Sequence, residues 1–157
     1  MEGCVVLMEA VILIGIQGSG KSTFYRERFF DTHVRISLDL LRTRHREKLL
    51  LSACLEGKQS FVVDNTNVTA ADWQRYIGPA KESGFIVTGY YLSSRLDEAL
   101  ARNRQRTGKR RIPDRGVAGT YKRLELPGLD EGFDWLYYVR IAENGQFVVE
   151  ESQDEFR

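Results

Sequence analysis

The chain holds 157 residues, 42% of them hydrophobic and 29% charged, with a net charge of +1. That size predicts one globular domain over 1–157 with a sizeable core and little room for a second, so a single site must take every substrate; the balanced charge excludes a global attraction to nucleic acid, though not a local one. Two cysteines, Cys4 and Cys54, lack metal-ligand spacing and are too few for a disulfide framework; with no signal-peptide core and no run of ~20 apolar residues, the expectation is a cytoplasmic protein with no membrane partner.

Residues 1–7 read as a tail. The run Ala10-Val11-Ile12-Leu13-Ile14 is short, apolar and rich in branched residues, as a buried parallel strand should be. It leads directly into Gly15-Ile16-Gln17-Gly18-Ser19-Gly20-Lys21-Ser22, a full G-x-x-x-x-G-K-[ST] loop, and Thr23 to Arg28 continue as a helix. Strand, glycine loop and helix in that order make a nucleoside triphosphate the expected ligand. Glycines let backbone N–H groups turn around phosphates, the helix N-terminus adds positive potential, Lys21 reaches the terminal phosphates, and the Ser22 hydroxyl ligates Mg2+. The nucleotide-binding set is thus Gly15, Gln17, Gly18, Ser19, Gly20, Lys21, Ser22 and Thr23.

Further along, Val34 to Ser37 predicts a second strand and Phe61 to Asp64 a third that ends in a carboxylate. Ala70 to Ser83 suits a helix closed by Gly84, Phe85 to Leu92 a fourth strand, and Ser94 to Arg106 a helix opened by Ser94 or Asp97. Trp135 to Ile141 reads as a fifth strand, turned at Asn144-Gly145 into Gln146 to Val149 as a hairpin. The alternation implies an α/β fold with a parallel sheet of about five strands and flanking helices, whose ligands gather beyond the carboxyl ends of the strands.

Polar residues at those ends are the candidates for chemistry. Asp64, after Phe61-Val62-Val63, is placed to hold Mg2+ beside Ser22, or else caps a turn. Asp39 lies just past the second strand, with Arg42 three residues on and expected on the same helical face. Phosphoryl transfer to an alcohol needs a carboxylate to accept the proton, and an arginine nearby can hold a substrate phosphate; the alternative is a helix N-cap at Asp39 with a solvated ion pair. Residues 102–115 carry seven basic side chains against one acid, broken by Gly108 and Pro113. That composition suits a lid whose arginines neutralise phosphate charge, or a solvated basic face.

Taken together, these motifs resemble the 5′-hydroxyl polynucleotide kinases, including the phage end-healing enzyme and the kinase domain of animal polynucleotide kinase-phosphatase. The likeness covers nearly the whole chain: the phosphate loop, Asp39 with Arg42, Asp64-Asn65-Thr66-Asn67, Ala101-Arg102-Asn103-Arg104-Gln105-Arg106, and Tyr121-Lys122-Arg123 leading to Pro127-Gly128-Leu129-Asp130-Glu131-Gly132-Phe133. It implies a P-loop NTPase fold of the nucleoside-kinase type, with ATP as donor, Mg2+ as cofactor and the 5′-OH end of RNA or DNA as acceptor. Asp39 would be the general base, Arg42 would contact the acceptor's phosphate, and Arg106 would clamp the donor phosphates, with Arg102, Arg104, Arg110 and Arg111 competing for that last role. No Asp-x-Asp-x-Thr phosphatase signature and no Lys-x-Asp-Gly ligase nucleophile occurs, so 3′-end repair or sealing would need a separate phosphatase or ligase partner. Two other readings stay open: a kinase of the same fold acting on a small acceptor such as a sugar nucleotide, and an ATP-binding switch without an acceptor.

Overall fold

Six strands form one sheet in the order β2-β3-β1-β4-β5-β6. The structure is a computed structural model that describes residues 7–93 and 95–151. Strand β1 (Glu9–Ile14) lies between β3 (Phe61–Val63) and β4 (Ile86–Leu92), β2 (Val34–Ile36) pairs with β3, and β5 (Trp135–Ile141) extends the sheet beyond β4, all in parallel. The hairpin strand β6 (Phe147–Glu151) runs antiparallel to β5. The five expected parallel strands are present, with the hairpin as a sixth.

Side chains of β1 divide by the two-residue period of a strand. Ala10, Ile12 and Ile14 face a core with Phe61, Val63, Trp73 and Tyr76, while Val11 and Leu13 face Phe24, Phe29, Val62 and Val139. Burial on both faces explains why β1 is apolar throughout. Because the chain leaves β1 where its neighbours run to opposite sides, the crevice at its carboxyl end is the topological switch point, and the glycine loop lies there.

Helix α1 (Lys21–Arg28) begins inside the glycine motif, and α4 (Ala70–Glu82) opens with a capping box between Thr69 and Asp72. Two helices were not expected from sequence: α3 (Arg44–Glu56) and α6 (Asp114–Arg123). Between β2 and α3, α2 (Leu38–Leu41) is a single turn. It ends because Thr43 is extended and its Oγ1 accepts a hydrogen bond from the Arg46 N–H at 3.1 Å, starting α3. Arg42, at φ 74, is the reversal between the two helices. The expectation that Asp39 and Arg42 share one helical face is therefore corrected, and so is an N-cap at Asp39, since Ser37 holds that position.

Helix α5 spans Leu96–Arg104 rather than reaching Arg106. Its last turn tightens through Gln105 N–H to Arg102 O and Arg106 N–H to Asn103 O, and Gly108 at φ 61 turns the chain away. Asp97 lies in its first turn and is not its cap; the alternative cap, Ser94, lies outside the described residues, as do residues 1–6 with Cys4. Cys54 is buried against the core and its thiol is pushed up by that burial, which fits a structural residue. Among the described residues, no helix is long and apolar enough to cross a membrane.

Candidate active site

The glycine loop is held from both sides. The Gly15 N–H donates to Thr66 O at 3.1 Å, and Asn67 Nδ2 donates to Leu13 O at 3.1 Å, so the segment after β3 laces the loop to its strand. From the other side α5 presses on Gly18, which sits at φ 81 and where a Cβ would come within 2.4 Å of Ala99 O. Arg102 Nη1 donates to Gly18 O at 3.3 Å. Only glycine meets both demands.

Lys21 lies buried within this loop, its ammonium donating to Gly15 O and Ile16 O at 2.8 Å each and to Ser19 Oγ at 3.4 Å. Burial pushes its pKa down to about 8; Asp64 and, more weakly, Asp39 act to raise it, and Arg106 to lower it. Those four groups therefore share one electrostatic environment.

Ser22 Oγ donates to Asp64 Oδ2 at 3.0 Å, bringing together the two residues expected at the metal. Among the described residues, no group of three or more His, Cys, Asp or Glu forms a metal cage. A hydroxyl and one carboxylate beside a phosphate loop nevertheless fit Mg2+, which keeps most of its waters and binds few protein ligands. Sequence reasoning missed Arg35. Its Nε and Nη2 both lie 2.8 Å from Asp64 Oδ2, and Nη2 also donates to Ser22 Oγ at 3.3 Å. The register of β2 on β3 sets this contact, with Arg35 opposite Val62, two residues before Asp64.

Asp39, exposed on α2, is positioned from beneath. Asn65 Oδ1 accepts from the Leu38 N–H at 2.9 Å, completing the N-terminus of the turn that carries it. The Asn65 amide in turn donates to the buried Glu47 at 2.9 Å and to Tyr76 OH at 3.2 Å, while Arg44 pairs with Glu47 at 2.8 Å. A buried carboxylate is tolerable only with such partners.

Of the competing arginines, the structure separates the positions. Arg106 and Arg110 line all three cavities around the site, whereas Arg102 lines only the one over Gly18, Gly20 and Thr23. Arg104 points elsewhere, paired at 2.7 Å with Asp114 on the surface. The Arg106 guanidinium is pushed below its usual value by burial and by Arg110, against the opposing pull of Asp39 and Asp64. The loop bearing Arg106 and Arg110 is closed at its base by the fully buried Asn103, whose amide bonds both N–H and C=O of Ile112.

Asp39 borders two cavities. One, of about 290 Å³, is also lined by Gln17, Arg42, Asn65 and Thr66; Arg42 thus reaches the same space as Asp39 without sharing its helical face, and Gln17 of the glycine loop faces this cavity rather than the one over Gly18. The other, of about 590 Å³, opens between α1 and α2.

A phosphate-binding loop at the switch point of a parallel sheet, with an arginine-bearing loop above it, defines a P-loop nucleotide-binding domain of the kinase type. Residues 11–127 match the AAA domain family, and the chain belongs to it. It is 28% identical over 131 residues, 80% of this chain and 32% of the relative, to a bifunctional polynucleotide phosphatase/kinase of Schizosaccharomyces pombe. It is also 28% identical over 144 residues, 79% of this chain and 55% of the relative, to an L-seryl-tRNA(Sec) kinase of Methanococcus maripaludis. The chain thus spans about a third to just over half the length of these curated relatives. Among solved structures, a gluconokinase from Sinorhizobium meliloti superposes with a TM-score of 0.62 at 18% identity, covering 86% of this chain and 83% of the other, a likeness of fold.

Proposed function

We propose that the protein transfers the γ-phosphoryl group of ATP, with Mg2+, to the 5′-hydroxyl end of RNA or DNA. The observation that carries this reading is that Lys21, Asp64, Asp39 and Arg106 act on one another electrostatically, while Asp39, Arg42 and Arg106 line one cavity. The similarity to a polynucleotide phosphatase/kinase supports the acceptor class. In this reading the loop amides, Lys21, Arg102 and Arg106 bind the donor phosphates. Ser22 and Asp64 hold Mg2+, which neutralises phosphate charge; Asp39 accepts the proton of the attacking hydroxyl, and Arg42 takes the acceptor's first phosphate. Arg106 and Arg110 balance the charge that spreads over the transferred group.

The test is incubation of γ-labelled ATP and Mg2+ with a 5′-OH oligonucleotide, a 5′-phosphorylated control and free sugars or nucleosides. Label on the 5′-OH strand alone is the expected result; label on small acceptors alone would overturn the acceptor assignment. A small acceptor is the second reading, supported by the 290 Å³ of the Arg42 cavity, close to the lower end of small-ligand sites. Steep loss of activity with salt belongs to the polynucleotide, a shallow one to the small molecule.

A further inference from the structure

The cavity between α1 and α2 is about twice the volume of the Arg42 cavity, yet the reaction as derived above uses only Ser22, Asp39, Arg106 and Arg110 of its lining. The rest of its lining comes from Tyr25, Arg26 and Phe30 in α1 and the turn after it, Arg35 in β2 and Leu40 in α2. Phe30 is 68% and Leu40 62% exposed, two large apolar side chains, one from the turn after α1 and one from α2, in a cleft that also holds Arg26, Arg35, Arg106 and Arg110. Among the described residues, Asp39 is the only acid in that lining. An aromatic side chain open to solvent beside guanidinium groups is the combination with which proteins hold single-stranded nucleic acid: the ring stacks on a base, the arginines take the phosphate.

Asp39 stands between the two cavities, so a hydroxyl delivered to it has room on either side. We propose that the α1–α2 cleft binds a second nucleotide of the acceptor nucleic acid, its base against Phe30 and Leu40 and its phosphate on Arg26. The inference rests on the polynucleotide acceptor proposed above and adds that recognition extends past the reacting nucleotide. Two sources supply a second nucleotide: the next one along the strand, or the 3′-terminal one across a break.

The experiment compares acceptors in phosphorylation by the full chain: a nucleoside 3′-monophosphate, single strands of two to six nucleotides, and a nicked duplex whose 5′-OH faces a 3′ end. Each is run with the unaltered protein, Phe30→Ala and Leu40→Ala. ATP binding and thermal unfolding of both variants check that fold and donor site are intact. If the subsite exists, kcat/KM rises roughly tenfold or more from the monophosphate to one of the longer acceptors, and Phe30→Ala removes most of that gain. A rise along the single strands identifies the next nucleotide; a rise only at the nick identifies the one across the break. Equal kcat/KM for monophosphate and all longer acceptors, or a gain that Phe30→Ala leaves intact, overturns the subsite while the kinase reading stands. Failure to phosphorylate any of these acceptors overturns the polynucleotide reading itself, and the subsite with it.

Discussion

The phosphate loop and the single turn α2 face each other across the site, and they are held by different means. The loop is fixed by main-chain bonds to the segment after β3, by the close approach of α5 to Gly18 and by a buried lysine bonded to its own carbonyls. Helix α2 has four residues, none of them buried, and depends on the side chain of Asn65 beneath it. A loop fixed through its own backbone tolerates few changes; a carboxylate carried on a short turn is precise only while a few side chains hold it. The two regions should therefore respond differently to mutation.

The sharpest separation is expected at Asp39. Asp39→Asn keeps the shape of α2 but removes the proposed proton acceptor, and transfer to a 5′-OH oligonucleotide should fall about 10²–10⁴-fold with ATP affinity unchanged. Single-turnover transfer and equilibrium nucleotide binding measure the two quantities, and an equal loss in both would merge the regions that the structure separates.

Asn65→Ala tests the support of that turn. It removes the acceptor for the Leu38 N–H and a donor to the buried Glu47 and Tyr76, at a cost of about 1–3 kcal/mol in stability. Because α2 is held through this side chain, kcat should drop by about 10–100-fold as Asp39 loses its place, with KM for ATP little altered. A variant that loses stability without losing kcat would show that α2 is positioned by something else.

How much of this was legible in the sequence differs between the same two regions. The loop and Asp64 were readable because their chemistry is local: an apolar strand, a fixed glycine spacing and a carboxylate at a strand end. The strands were readable because burial on both faces makes them continuously apolar. Helix α3 was not, since Leu49, Leu50 and Leu51 are consecutive and only Leu51 is buried, so no clean stripe marks its face. Helix α6 is obscured by Gly116 and Gly119, poor helix formers. Arg35 reaches Asp64 only through strand register, the role of Asn65 depends on the buried Glu47 eighteen residues away, and that of Asn103 on the half-buried backbone of Ile112 beyond the basic run. The break at Arg42 carried one signal that spacing alone overrode: Thr43, a residue suited to opening a new helix.

Lys21 offers a test of opposite signs. Its folded pKa of about 8 lies below the ordinary 10.5, so the unfolded chain binds more protons between those values. Stability of the free protein should therefore be lowest below pH 8 and rise between pH 8 and 10.5, by on the order of 3 kcal/mol. Nucleotide phosphates favour the charged lysine, so ATP affinity should fall over the same range, approaching tenfold per pH unit above 8 as binding must take up a proton. Calorimetry in buffers of different ionisation heat at pH 9 detects that proton. Lys21→Met should flatten both curves; a pH dependence that survives it would place the titrating group elsewhere.

The smallest effect is expected at Arg104, in contrast to Arg106. Arg104 and Arg106 are two residues apart in one basic run, but Arg104 ends α5 facing solvent with Asp114, whereas Arg106 lies past the end of the helix and borders the three cavities beside the glycine loop and Asp39. Exposed ion pairs contribute little, so Arg104→Ala should leave transfer within about twofold of the unaltered protein. In the proposed reaction Arg106→Ala removes a donor from the place where charge develops and should cost about 10²–10³-fold in kcat. Equal losses in the two variants would mean that the run acts through its summed charge, and increasing salt would then erase the difference from the unaltered protein. A loss confined to Arg106 and insensitive to salt would assign the effect to one guanidinium held in place by the buried Asn103 at the foot of its loop.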